Sequence, residues 1–331
     1  MIDRIKFYVD VDFGLVEKHI ELVEKHPELK CLNFVKKGED YSGSVIFEAK
    51  IGNIKIKYIG NRLYVEGSLH KAIKGNNYGL FTYDEAKETL SDLITIIVFP
   101  DKSISEKSIS EKSIVTSIEV GVNMIMDHDS MKYIDVLNNY KAHPFIYQAP
   151  LPGTKRLKSR KCYFTEYAIK FYDKTFEASR DKNFVSSTVF PKFVEKEKIP
   201  KNILRYELSF KIKKNFYKNF GGKKLTVASL INNKKHYARF VSRLNRILRD
   251  IQFNDIYNFA EMSAEDVKRC IFVLSDGYSK YLSYIKEHFG EKEYRKVIRS
   301  DKGFLKKISP LKTGIYEKEL KDKFAEAISK I

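Results

Sequence analysis

Tyr172 stands between Lys170 and Lys174 in the run Ala168-Ile169-Lys170-Phe171-Tyr172-Asp173-Lys174-Thr175-Phe176-Glu177. Side chains alternate along a strand with period two, so these three point the same way from one sheet edge. An ammonium beside a phenol favours the phenolate, the form that attacks an electrophile. Tyr172 is therefore a candidate nucleophile, although the chain has 21 tyrosines and most of them must pack or sit on the surface.

Three further runs hold a carboxylate at the centre of a strand-like pattern: Tyr64-Val65-Glu66-Gly67-Ser68, Ser117-Ile118-Glu119-Val120-Gly121, and Arg205-Tyr206-Glu207-Leu208-Ser209. A carboxylate there is costly to bury unpaired. If the strands are neighbours, Glu66, Glu119 and Glu207 converge on a hard divalent cation, for which Mg²⁺ or Mn²⁺ suits all-oxygen ligands. The competing reading makes each one a solvent-face residue paired with lysine. The histidines form no metal pattern, Asp127-His128-Asp129 reads as a helix N-cap cluster, and Gly75-Asn76-Asn77-Tyr78-Gly79 lacks a phosphate-loop pattern.

Cations interleave with aromatic residues from Lys155 to Tyr163, where Lys155, Arg156, Lys158, Arg160 and Lys161 crowd together, and from Lys211 to Lys224. Lysines hold phosphates while rings stack on unpaired bases. Between Lys234 and Arg249, the residues Arg239, Arg243 and Arg246 recur every three or four positions, which aligns them on one helix face. The balance of the chain agrees. With 61 Lys+Arg against 43 Asp+Glu, the net charge is +18 over 331 residues, and nucleic acid is the partner that shares such a load. No apolar run has spanning length and no basic amphipathic anchor is present, which argues against a membrane partner. Three scattered cysteines and no signal-peptide pattern point to a reducing cytoplasm.

These residues need elements to position them. Ile5 to Val11 alternates as a strand, and Phe13 to His26 reads as an amphipathic helix. A meander follows over Ser44–Ile51, Asn53–Ile59 and Arg62–Leu69, turning at Gly52-Asn53 and Gly60-Asn61. Tyr83 to Ile97 reads as a helix with Thr82 or Asp84 near its N-cap. Residues 101–114 carry Lys-Ser-Ile-Ser-Glu in tandem and read as a mobile low-complexity loop. Strands are expected over Ile114–Met124, within Cys162–Lys174 and over Ile203–Lys213, with a helix over Ser130–Lys141. Beyond Gly221-Gly222 the pattern turns helical. The expected fold is α+β: a curved, mostly antiparallel sheet covered by helices in a catalytic domain over 1–220, then a helical DNA-binding or accessory domain over 221–331.

Taken in order, the motifs resemble the gene II/gene X replication initiators of filamentous phages and, more loosely, the rolling-circle initiators of small plasmids. The resemblance is carried by Met1-Ile2-Asp3, by Glu66-Gly67-Ser68-Leu69-His70-Lys71 with Gly75-Asn76-Asn77, by Ile118-Glu119-Val120, by Lys170-Phe171-Tyr172-Asp173-Lys174 with Glu177, and by Leu204-Arg205-Tyr206-Glu207. Tyr294, Ser300, Phe304, Leu311 and Gly314-Ile315 follow in the order of a C-terminal helical element. Glu119 stands where the family usually shows aspartate, and no arginine precedes it. The resemblance implies a metal-dependent, origin-specific DNA nickase-ligase that starts rolling-circle replication in a bacterial host cell, with host helicase and polymerase as partners and a homodimer as one assembly. Tyr172 would be the nicking nucleophile, Glu119 and Glu207 metal ligands with Glu66 a third, and Lys174 would hold the scissile phosphate or stabilise the phenolate. Lys71, Lys170 and Arg205 would join the cations above in contacting DNA. The alternative is a non-enzymatic origin-binding or regulatory protein whose carboxylates are structural ion pairs.

Overall fold

The computed structural model describes residues 2–11, 20–21, 34–98, 105–147, 159–180, 200–211, 224–254, 262–275, 277–308 and 314–330. Period-two burial dominates its first two thirds. β1 (Ile2–Asp10), β4 (Ile54–Ile59) and β5 (Arg62–Ser68) each bury alternate apolar side chains and leave polar ones between them. Gly52 and Gly60, at φ 56° and 52°, supply the left-handed conformation that the two tight hairpin turns require. β2 (Val35–Glu39) and β3 (Val45–Ile51) complete this meander.

A second strand set follows: β6 (Ile114–Ile125), β7 (Leu137–Tyr140), β8 (His143–Pro144), β9 (Ile146–Tyr147), β10 (Ser159–Tyr163), β11 (Tyr167–Asp173) and β12 (Ile203–Lys211). Ten strands form one sheet in the order β2-β3-β4-β5-β1-β6-β12-β11-β10-β9, with every pairing antiparallel. β13 (Ile251–Phe253) joins β7 and β8 in a small second sheet. The expected α+β class with a large antiparallel sheet is thus the observed one. The sheet order reads the same from both ends: a first strand at the middle, and a four-strand meander returning to pair with it. β1 to β5 form one half and β6 with β9 to β12 the other, related by a pseudo-two-fold between β1 and β6.

Helices α1 (Leu69–Lys74), α2 (Tyr83–Val98), α3 (Glu106–Lys112), α4 (Ser130–Asp135), α5 (Lys174–Arg180), α6 (Val227–Asn232), α7 (Lys234–Asp250), α8 (Ala264–Leu274), α9 (Tyr278–Ile308) and α10 (Ile315–Ser329) complete the described elements. The α2 start is fixed by a reciprocal cap: Glu85 N–H donates to Thr82 Oγ1 at 3.3 Å and Thr82 N–H to Glu85 Oε2 at 2.7 Å. One face of the sheet is covered. Tyr206 Oη donates to the Leu244 carbonyl of α7 at 3.1 Å, its ring packs on Phe324 of α10, and both belong to the main apolar core.

Several expectations are corrected. The tandem repeat is not all loop: residues 106–112 are helical, capped by Ser105, with Ile109 buried in the core. The helix expected over 130–141 ends at Asp135, and Leu137–Tyr140 is a strand whose pairing with β13 replaces the helical bonds. Beyond residue 221, Leu225, Phe240, Leu244 and Phe324 share one core with the sheet, while Cys270, Phe304 and Ile308 of α8 and α9 form a small cluster of their own. The helix read over 13–26 falls almost entirely outside the described residues, as do the boundary glycines 221–222. Among the described residues, no helix is long and apolar enough to cross a membrane.

Candidate active site

β11, β12 and β6 lie side by side, and their register decides which side chains meet. Lys170 is opposite Glu207, Tyr172 opposite Arg205 and Glu119 opposite Ser209. Cross-strand partners share a face, and residues two apart on a strand share it too. Tyr172, Lys170, Arg205, Glu207, Ser209 and Glu119 therefore project to one side, while Phe171, Tyr206 and Leu208 project into the helix-covered core.

Tyr172 Oη donates to Glu207 Oε2 at 3.3 Å, and the same oxygen accepts from Arg205 Nε at 2.9 Å. Arg205 Nη2 reaches Asp3 Oδ2 at 2.7 Å and its Nη1 reaches Asn123 Oδ1 at 3.0 Å. Asp3 also accepts from Asn77 Nδ2 at 3.0 Å and from Ser68 Oγ. Arg205 at 2% exposure and Glu207 at 4% form a buried network that leaves few donors unmet. The Asn77 carbonyl accepts from Asn123 Nδ2 at 3.0 Å, so the loop after α1 is stitched to β6 as well.

The electrostatics follow from this packing. Burial would raise the Asp3 carboxyl, but the Arg205 guanidinium, His70 and the hydrogen bonds from Ser68 and Asn77 together override it and hold the carboxyl well below the usual range. Burial pushes the Tyr172 phenol well up, and the Glu207 carboxylate pushes it further. Tyr172, 4% exposed, is thus a phenol at rest, which corrects the expectation that neighbouring ammonium groups hold it as a phenolate. Lys170 Nζ lies 4.2 Å from the ring centroid and Lys174 Nζ 5.7 Å, but desolvation outweighs them. Lys174 is itself 1% exposed, and burial lowers it to about 8 despite its ion pair with Glu177. Lys71, Asn77, Lys174 and Glu177 line a small cleft beside this network.

Glu119 is raised by burial first and then by Glu207 nearby. It accepts from Ser209 Oγ at 3.2 Å. Two carboxylates that repel one another, beside a hydroxyl, make an all-oxygen donor set that a hard cation would relieve. Mg²⁺ is commonly held by one or two carboxylates with substrate phosphate completing the shell. Glu119 and Glu207 fit that pattern. Glu66 does not join them. It sits on β5, two strand spacings or ~10 Å from β6, and is ion-paired to Arg4 at 2.5 Å and Lys6 at 3.2 Å. Those pairs outweigh burial and lower its carboxyl, the surface-pair reading. Among the described residues, no group of three or more His, Cys, Asp or Glu side chains is arranged to hold a metal.

The expected DNA contacts separate by face. Lys161 and Lys170 are opposite one another on the Tyr172 side. Arg160 points the other way, donating to the Leu137 carbonyl at 2.5 Å with its guanidinium 4.2 Å from the Tyr147 ring. Arg205 is not a DNA contact: its hydrogen bonds bind it inside the network. Arg239, Arg243 and Arg246 belong to α7, on the opposite layer, where Arg243 lies 5.1 Å over the Tyr167 ring. Lys155, Arg156 and Lys158 lie outside the described residues. Sequence reasoning gave no role to Asp3, Ser68, Asn77 and Asn123 in this network.

The chain matches no family model and no curated protein. Among solved structures it is similar to two di-domain ARO/CYC proteins: BexL of the BE-7585A biosynthetic pathway, at 11% identity and TM-score 0.21 over 75% of this chain and 95% of that one, and StfQ of the steffimycin pathway, at 9% and 0.19 over 73% and 94%. Likeness at that level carries no argument about fold or function.

Proposed function

We propose that the chain is a rolling-circle replication initiator that nicks and rejoins DNA through Tyr172. The observation that carries this reading is the convergence of a tyrosine, a buried carboxylate (Glu207) and a half-buried one (Glu119) on one face of adjacent strands, with Tyr172 Oη 3.3 Å from Glu207. A nucleophile within hydrogen-bond reach of its base, with the base oriented by a third group, is the arrangement covalent catalysis needs. Arg205 supplies the orientation and Asp3 anchors Arg205 in turn.

Glu207 accepts the phenolic proton as the Tyr172 Oη–phosphorus bond forms and the phosphorus–O3′ bond breaks. The leaving 3′ oxygen takes up a proton, which Lys174, with a pKa of about 8, can supply near neutral pH. A 5′-phosphotyrosine and a free 3′-OH result. Reversal by a 3′-OH rejoins the strand and conserves the bond energy. Glu119 and Glu207 would hold the divalent cation, which when bound polarises the scissile phosphate and neutralises developing charge. Lys161 and Lys170 hold the backbone on either side.

The test is incubation of the protein with Mn²⁺ or Mg²⁺ and supercoiled DNA carrying the sequence that flanks its own coding region. Nicked circles and a covalent protein–DNA adduct are expected, both lost in Tyr172→Phe while DNA binding persists. Normal nicking by Tyr172→Phe would refute the assignment. A second reading, a non-enzymatic origin-binding protein, is favoured by one observation: the resting phenol is 4% exposed and fully engaged. Binding with no adduct under any divalent metal would select it.

A further inference from the structure

The two halves of the sheet match residue by residue as well as strand by strand. Superposing β1 on β6, β4 on β11 and β5 on β12 by their registers places Lys55 opposite Glu66 as Lys170 is opposite Glu207. One strand further out, Lys50 is opposite Lys55 as Lys161 is opposite Lys170. The β5 and β12 sequences repeat as well: Leu63-x-x-Glu66-x-Ser68 and Leu204-x-x-Glu207-x-Ser209. Arg4 and Glu119, equivalent by this match, are also register partners, which puts the pseudo-two-fold axis between them.

Where the halves differ, the chemistry differs. The place of Tyr172 is taken by Lys57, that of Arg205 by Tyr64 and that of Asn123 by Tyr8. The first half has no candidate nucleophile at that position and no buried arginine there. It keeps the lysine–glutamate row and adds aromatic rings, all on the face that carries Tyr172. Arg62 lies 4.5 Å over the Tyr8 ring, and the Tyr8 and Tyr64 rings are 6.1 Å apart. Lys6, Lys55 and Arg62 are each more than two-fifths exposed. Their carboxylate partners Glu66, Glu48 and Asp10 form solvent-screened pairs that a phosphate can displace at little cost.

We infer that this face of the first half is a non-catalytic counterpart of the nicking centre that binds single-stranded DNA, with Lys6, Lys55, Lys57 and Arg62 on phosphates and Tyr8 and Tyr64 stacking on bases. The inference rests on the DNA part of the reading above. Charge complementarity and placement select the occupant: the face is net cationic, carries rings between its cations as single-strand binders do, and is the same side of the sheet as Tyr172, with β5 four strand spacings or ~19 Å from β11.

The test uses the full-length Tyr172→Phe protein and a fluorescein-labelled 20-nucleotide DNA of mixed sequence, with binding followed by anisotropy from 50 to 300 mM NaCl. Lys55→Ala/Lys57→Ala should weaken binding about tenfold at 100 mM salt and reduce the slope of log K against log salt by about 1.4, two phosphates at ~0.7 each. Tyr64→Ala should weaken it about tenfold with the slope unchanged, because stacking is uncharged. The control Lys286→Ala/Lys296→Ala, two exposed cations of α9, should do neither. Unchanged affinity and slope in Lys55→Ala/Lys57→Ala overturns the proposal. So does an equal loss in the control, or tighter binding of RNA or duplex of the same sequence. Adduct formation by the Tyr172 protein is scored separately: binding through this face without adduct refutes the nickase reading alone, and adduct without it refutes this inference alone.

Discussion

Arg205 is the residue on which the centre depends. It neutralises two buried carboxylates, Asp3 and Glu207, and removing it strands both. Arg205→Met should cost about 3–5 kcal/mol in urea unfolding. Asp3→Asn should cost less, because Ser68 and Asn77 still hold the side chain. Lys174 offers a pH signature. Its folded pKa of about 8 lies below the ordinary 10.5, so between those values the unfolded chain binds more protons and stability rises with pH. Relative to Lys174→Met, the native protein should gain about 2 kcal/mol between pH 7.5 and 9.5 by urea titration at each pH. For Glu119 the shift is upward, so its charge is lost on acidification earlier than for an ordinary glutamate, and on the proposed function divalent-metal affinity should fall with it. Glu119→Gln should remove that acid limb from a Mn²⁺ titration.

At the scale of elements, β6 is the strand that cannot be altered quietly. A Cβ added at Gly121 would lie 2.9 Å from the Tyr206 carbonyl and 3.1 Å from Arg205 Nη2. Gly121→Ala should therefore cost about 1–3 kcal/mol and lower nicking by tilting the guanidinium that orients Glu207. A stability loss with unchanged nicking would separate packing from orientation. Much of this layer was legible in the sequence. β1, β3 to β6, β11 and β12 announce themselves by strict alternation, and the turns at Gly52 and Gly60 by their residue types. Tyr172, Glu119 and Glu207 were legible as strand-centre oddities. The fate of Glu66 was not, because only register says that Arg4 and Lys6 flank it. Arg205 reads as a DNA contact from its neighbours in sequence, and its true partners, Asp3 and Asn77, come from 202 and 128 residues away. The helix over 106–112 was hidden by low-complexity composition, although Ile109 had a core to enter.

At the scale of the whole molecule, cohesion is uneven. The sheet, α6, α7 and α10 share one core, whereas α8 and α9 are held by the small cluster of Cys270, Phe304 and Ile308, an Arg269–Asp301 ion pair at 2.7 Å, and a helix bent at Gly290 with φ 82°. Native-state hydrogen exchange should find amides of α8 and α9 opening at lower free energy than those of β6 and β12. Equal protection would mean the cluster is tied to the main core more firmly than its size suggests.

The mirrored strand order has one more consequence. A two-fold axis perpendicular to a sheet reverses the direction of every vector lying in the sheet. A nucleic-acid strand has a chemical direction, 5′ to 3′, and the two halves therefore present their groups to it in opposite senses. A polynucleotide crossing the whole face meets one half in the productive sense and the other backwards. A nucleophile rebuilt at position 57 would thus address only a strand of reversed polarity, as the complementary strand of a duplex is. On the proposed function, a tyrosine at the Tyr172 position in one half, with Lys57 in its place in the other, is what would make the incision one-stranded.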